Sequence, residues 1–171
     1  EANAHIVHTY QAYEALSKRY EGTKIRMNEC KRTPQSIVFP FCPGKTLEEL
    51  LDERLDEQDA EGFRKLIEEY MHWLSYNEEA NVSNIDFIFP NILVDGATWH
   101  VIDYEWTFDR TVPAKDIAFR AFYNYLLGGE GRKACEELLM QDVLHLTEEE
   151  KRQAIQDEQD FQHYVTGDRA S

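Results

Sequence analysis

Between Glu61 and Tyr76 the apolar residues Phe63, Leu66, Ile67, Tyr70, Met71 and Leu74 recur at spacings of three and four. On a helix of 3.6 residues per turn they fall on one face, which predicts a core helix that other elements must cover. Residues 5–20 repeat the pattern through Ile6, Tyr10, Tyr13, Leu16 and Tyr20, and Gly22 stands where such a helix would stop. Thr46 with Glu49 three residues on has the form of a capping box, predicting a helix to about Leu55. Further helices are expected at 115–127, 132–139 and 147–165, with a break at Gly128-Gly129. Two extended pairs interrupt them. Residues 23–30 and 36–41 read as one hairpin joined by a basic turn, and residues 91–95 and 99–103 as a second around Asp95-Gly96. The order helix, hairpin, helices, hairpin, helices predicts an α+β fold rather than an alternating parallel sheet.

A chain of 171 residues with 42% apolar residues can bury a core and matches one domain, or a large piece of one. Glu1 in place of an initiator methionine, and a last stretch without a capping signal, lead us to expect a segment of a longer chain, whose other domains would be its partners. The 33 acidic and 18 basic residues give a net charge of −15, which argues against nucleic acid or an anionic membrane surface as the main partner. Residues 46–85 concentrate that charge, with 12 acidic against 3 basic, while residues 1–45 are mildly basic. The carboxylate run is read as a solvated helix face. Cys30, Cys42 and Cys135 are too few and too far apart for a disulfide framework, so free thiols are expected. There is no apolar run near 18 residues and no export pattern, so no membrane insertion and a cytoplasmic location are expected.

The stretch from Asn84 to Glu105 carries the chemistry. If the second hairpin is centred on Ala97, Asn91 faces Asp103 with their Cβ atoms about 5 Å apart. A carboxylate beside a carboxamide oxygen offers the hard donors that Mg²⁺ takes together with substrate phosphates. Asp86, five residues before Asn91 on a loop, would then act as a base beside a metal-bound phosphate, which implies phosphoryl transfer. Asp95 and Gly96 are read as turn formers, Trp99 and Trp106 as core, and His5 with His8 as a surface pair lacking a third zinc ligand.

These residues resemble the aminoglycoside phosphotransferase and choline kinase-like branch of the protein-kinase-like fold. Its loop reads His-Gly-Asp-x-x-x-x-Asn, followed by a strand pair and Ile-Asp-Phe/Trp-Glu, and Asp86, Asn91, Asp103 and Glu105 fall in matching positions. Asp116-Ile117-Ala118 is similar to the family's Asp-Leu-Ala, and residues 37–47 to its last small-lobe strand, hinge and next helix start. The resemblance implies a large lobe over 42–171, mainly helical with a short catalytic hairpin. It also implies a partial small lobe over 1–41, consisting of a helix plus a hairpin, and a hinge near 39–45. By the same resemblance Asp86 is the catalytic base or positioner, Asn91 and Asp103 hold Mg²⁺, and Phe39, Pro40, Phe41 and Cys42 bind the adenine of ATP or another nucleoside triphosphate. Asp116 would buttress the loop around Asp86 through backbone hydrogen bonds, and Glu14 would be the acid that pairs with a phosphate-binding lysine.

The departures are specific. Asn84 and Ile85 stand where the family has His and Gly, and no glycine-rich loop or Val-Ala-x-Lys-like strand precedes residue 24. The expected function is a Mg-nucleotide-dependent phosphotransferase acting on a small-molecule or sugar hydroxyl, with the segment alone inactive. The alternative is a non-catalytic kinase-like domain that binds nucleotide or protein. Tyr104-Glu105-Trp106-Thr107-Phe108-Asp109 resembles a signature of large bacterial surface-polysaccharide proteins, which would be the setting for that alternative. A third reading is an acidic helical interaction module with a purely structural hairpin.

Overall fold

The computed structural model describes residues 2–29, 31–32, 37–38 and 43–170, and its contacts divide the chain into two compact units, Glu1–Ile117 and Ala118–Ser171. The fold is α+β, as the order of periodicities predicts. Among the described residues no helix is long and apolar enough to cross a membrane.

In the first unit, helix α1 (Ala2–Arg19) precedes the short strands β1 (Ile25–Met27), β2 (Lys31–Arg32), β3 (Ile37–Val38) and β4 (Lys45–Thr46). Helices α2 (Leu47–Asp56) and α3 (Ala60–Ser75) follow. The Thr46 hydroxyl accepts from the Glu49 amide at 3.1 Å and so starts α2 where the capping box places it, while Asp59 caps α3 through the Gly62 amide at 2.9 Å. The stripe of α3 is buried at Phe63, Ile67, Tyr70 and Leu74, with Leu66 and Met71 half-buried.

Strands β6 (Ile92–Asp95) and β7 (Thr98–Val101) form the second expected hairpin, inside a four-stranded sheet ordered β1, β7, β6, β4. The first expected hairpin is corrected. β1 runs parallel to β7, with Ile25 beside Trp99 and Met27 beside Val101, and the hairpin consists of β2 and β3 alone. The reason is the alternation of β1: Ile25 and Met27 are buried and Arg26 exposed, so its apolar face joins that of Trp99 and Val101.

The register of the second hairpin also differs from the expected one. Ile92 faces Val101, Val94 faces Trp99 and Asp95 faces Thr98, so the turn holds two residues, Gly96 and Ala97, rather than being centred on Ala97. Gly96 takes the first turn position at φ 57°, where a glycine suits a two-residue hairpin. Burial fixes the choice, because this pairing puts the buried Ile92, Trp99 and Val101 on one face with Val94.

A short antiparallel pair then forms between β5 (Ser83–Asn84) and β8 (Thr107–Phe108), in a stretch expected to be a loop at 81–90. Helix α4 (Ala114–Leu127) carries the chain into the second unit. There, Phe119, Phe122, Tyr125, Leu139, Met140 and Leu144 are buried. The segment expected as an α-helix at 132–139 is instead a 3₁₀ helix at Glu130–Cys135 and a π-helix at Glu137–Val143. Helix α5 (Glu148–Ala170) runs past its expected end and starts on a second capping box, with the Thr147 hydroxyl accepting from the Glu150 amide at 3.1 Å. α5 has few apolar residues to bury. It is tied down by Glu158, which lies 3.4 Å from Arg120 and accepts from Gln162 at 2.9 Å, while the Arg120 guanidinium sits 4.7 Å from the Phe161 ring centre.

Candidate functional site

The site residues lie on the segment that leaves α3, crosses β5 and enters β6 through a 3₁₀ turn, Phe89–Asn91, and on the segment that leaves β7. Both segments are irregular where the chemistry is expected, so side-chain bonds add to the short β5–β8 pairing and to the bond of the Ile85 amide to the Trp106 carbonyl at 3.1 Å. Asn84 is the hub. Its Oδ1 accepts from the Asp86 amide at 2.9 Å, and its Nδ2 donates to the Asp103 carbonyl at 3.0 Å. An amide that must accept from an N–H and donate to a C=O can face only one way, so the two partners fix its orientation. Asn91 adds a second tie, with Nδ2 donating to the Asp86 carbonyl at 2.9 Å. The backbone of Asp86 is therefore gripped on both sides, by Asn84 at its N–H and by Asn91 at its C=O.

The loop between these ties is packed on α3. The Tyr70 hydroxyl donates to the Phe87 carbonyl at 2.6 Å, and its ring stacks on Phe87 with centroids 5.6 Å apart. Burial holds the Tyr70 phenol well above its ordinary pKa, so it stays a donor across the neutral range. On the other segment, Asp103 Oδ1 accepts from the Glu105 amide at 3.2 Å, an Asx-type turn that leaves the second carboxylate oxygen without a hydrogen bond among the described residues. The Tyr104 hydroxyl anchors the next residue by donating to the Asn28 carbonyl at 3.1 Å.

The three expected site residues differ in access. Asp86 is 7% exposed, Asn91 is half-buried and Asp103 is exposed. Asp103 lies with Glu105 along a cavity of about 310 Å³ whose other wall is His5, Ile6 and Thr9 of α1.

The predicted facing of Asn91 and Asp103 is corrected. With the two-residue turn, Asn91 stands opposite Ile102, whose amide donates to the Asn91 carbonyl at 2.9 Å, and the two side chains share no hydrogen bond. They are linked instead through Asp86 and Asn84. Asp116 is likewise corrected: its carboxylate is exposed on the first turn of α4 and accepts nothing from the loop around Asp86. That support comes from the residues just before α4. The Val112 amide donates to Ser83 Oγ at 2.9 Å, and Thr111 bonds Asn81 through both its amide and its hydroxyl.

The expected adenine-binding residues Phe39, Pro40, Phe41 and Cys42 lie outside the described residues, as does Cys30. Glu14, His5 and His8 are exposed, and Cys135 is buried. Trp99 is buried in the core as expected, and Trp106 is half-buried.

Asn91 Oδ1 and the free oxygen of Asp103 are hard donors of the kind Mg²⁺ takes. Among the described residues no group of three His, Cys, Asp or Glu side chains is placed to hold a metal.

Sequence reading undervalued Asn84, treating it as a departure from a histidine. The available signal was its chemistry, since a carboxamide carries both the donor and the acceptor that a loop between two backbones needs. No family model matches the chain, and a search of curated proteins returns no significant match.

Proposed function

We propose that this chain carries the catalytic loop of a kinase-like phosphotransferase that uses a magnesium nucleotide and acts on a small-molecule or sugar hydroxyl. The observation that carries the proposal is the double tie on Asp86. Asn84 joins the Asp86 amide to the Asp103 carbonyl, and Asn91 takes the Asp86 carbonyl, so the candidate base and both candidate metal ligands form one hydrogen-bonded unit. Asp86 would orient the acceptor hydroxyl and take its proton. Asn91 and Asp103 would hold the cation, which when bound offsets charge on the phosphates. Residues 39–42 would contact the base of the nucleotide.

A second reading, a non-catalytic domain of the same kind that binds nucleotide, is favoured by one observation. Asp86 is 7% exposed, which leaves its carboxylate little access to a substrate hydroxyl.

Calorimetry of the 171-residue chain with ATP, with and without Mg²⁺, tests both readings. The first expects binding that needs Mg²⁺ and is weakened about tenfold or more by Asp103→Ala. It further expects little or no phosphate transfer by this segment, which lacks the glycine-rich loop and the phosphate-binding lysine, and transfer in a longer chain that supplies both, lost there in Asp86→Ala with binding retained. Binding of the same kind without transfer in a longer chain that carries the glycine-rich loop and lysine selects the second reading, and binding indifferent to Mg²⁺ and Asp103 removes both.

A further inference from the structure

We infer that Arg19 is a positioning residue for the loop that carries Asp86. The inference rests on the role proposed above for that loop. Arg19 closes α1 and is 5% exposed. All three guanidinium nitrogens donate to backbone carbonyls: Nε to Tyr76 at 2.9 Å, Nη1 to Val82 at 2.6 Å and Nη2 to Leu74 at 3.0 Å. Among the described residues no carboxylate pairs with it.

A buried cation met by three carbonyls and, at 5.2 Å, by the Tyr20 ring is an expensive way to join a helix to a turn, because desolvation of the charge is met without an opposite charge. An apolar contact would stabilise the junction at less cost. What the guanidinium provides is geometry: its planar fork fixes three carbonyls relative to one another, which neither lysine nor an apolar side chain can do.

Those carbonyls define the approach to the site. Leu74 lies in the last turn of α3, whose carbonyls lack partners within the helix, and a cation there also suits the helix dipole. Tyr76 caps α3, and Val82 comes directly before β5. Between them the chain doubles back through a 3₁₀ turn at Glu78–Ala80, flanked by Asn77 and Asn81 in the left-handed region at φ 49° and 56°. Asn77 Nδ2 returns a bond to the Arg19 carbonyl at 3.1 Å, so α1 and the turn grip each other from both sides. Two residues beyond Val82 stands Asn84, whose carboxamide sets Asp86 against Asp103. Arg19 thus fixes where that strand begins, and Asn84 transmits the position to the loop.

Amide hydrogen exchange on the full chain tests the inference, with Arg19→Met, Arg19→Lys, and Phe63→Leu as a core control in the first turn of α3. A positioning role expects Arg19→Met to speed exchange at the Asp86 amide about tenfold more than at the Ile67 amide inside α3. Arg19→Lys should fall between Arg19→Met and wild type, and Phe63→Leu should speed both amides by a similar factor. Should Arg19→Met not fold, Asn77→Gly, which keeps the left-handed backbone and removes the return bond, should shift the Asp86 amide selectively by a smaller factor. Equal acceleration at Asp86 and Ile67 in the Arg19 or Asn77 variants overturns the inference. Calorimetry on the same variants separates the two proposals. Selective loosening at Asp86 in a chain that binds no Mg-ATP defeats the proposed function alone, whereas Mg-ATP binding unaltered by Arg19→Met defeats the positioning role alone.

Discussion

Replacing Asn84 tests whether one carboxamide joins the two halves of the site. Asn84→Leu keeps the volume of the side chain and removes both of its bonds, to the Asp86 amide and the Asp103 carbonyl. Each neutral hydrogen bond contributes about 1 kcal/mol net, and a buried polar group left without a partner costs about 1 to 3 kcal/mol. Asp86 is buried and Asp103 exposed, so the amide end is stranded while water can reach the carbonyl end. The loss should therefore be about 2 to 4 kcal/mol, which lowers the melting temperature of a chain this size by about 6 to 12 °C. Tryptophan fluorescence reads the right unit, because Trp73, Trp99 and Trp106 all lie within Glu1–Ile117. Asn84→Asp separates the two ends: it keeps the acceptor for Asp86 and turns an oxygen toward the Asp103 carbonyl, so at neutral pH it should be no more stable than Asn84→Leu. A melting temperature for Asn84→Leu within about 1 °C of wild type would refute the bridge.

Two further outcomes follow from the described geometry. Asp116→Ala should change stability by no more than about 0.5 kcal/mol by urea unfolding, because its carboxylate is exposed and makes no hydrogen bond among the described residues; a loss above about 1.5 kcal/mol would restore the buttressing role rejected above. Burial pushes the Tyr20 hydroxyl up to about 12, against a partial pull downward from the Arg19 cation, so the proton is held more tightly in the folded chain than in the unfolded one. That contribution is complete below about pH 10 and is lost as pH rises toward 12, amounting to about 2 to 3 kcal/mol. Tyr20→Phe should therefore lose less stability than wild type between about pH 9 and pH 11.5, and parallel losses in the two proteins would contradict the burial argument.

What could be read from the sequence was what local physics determines. The stripe from Phe63 to Leu74 and the Thr46–Glu49 box each place a helix from neighbouring residues alone, and both stand within a residue or two. Strand partners depend on residues far apart in the chain. Nothing near Ile25 announces that its partner is Trp99, and the basic residues Lys31 and Arg32, read as a turn, are themselves paired with Ile37 and Val38. The hairpin register turned on a single choice, two turn residues or three, which spacing leaves open and burial of Trp99 against Val94 decides. Arg19 was invisible for the same reason as β1: its partners at Leu74, Tyr76 and Val82 are backbone carbonyls, which carry no sequence signal at all.

The one-residue slip has less effect on the site than on the sheet. Within a ladder it moves every side chain to the other face, and that is why Asn91 and Asp103 cannot be placed together by counting across the hairpin. The ladder, however, ends at Ile92 and Val101. Asn91 already belongs to a 3₁₀ turn and Asp103 to an Asx-type turn, so pleat alternation governs neither side chain. Their placement is set by Asn84 and by the Asn91 bond to Asp86, three hydrogen bonds that bind backbone to backbone across 19 residues of sequence. Such bonds contribute less to global stability than the buried core of α3 and the sheet, but they decide where three oxygen-bearing side chains stand. Substitutions in this network should accordingly separate function from folding more cleanly than substitutions in the core. Asn91→Leu, which cuts one bond to the Asp86 carbonyl and removes one candidate metal ligand, should cost about 1 kcal/mol of stability while weakening Mg-dependent ATP binding about tenfold or more. If Asn91→Leu instead unfolds the unit while leaving Mg-dependent affinity intact in the folded fraction, the residue is structural and the metal role assigned to it is wrong.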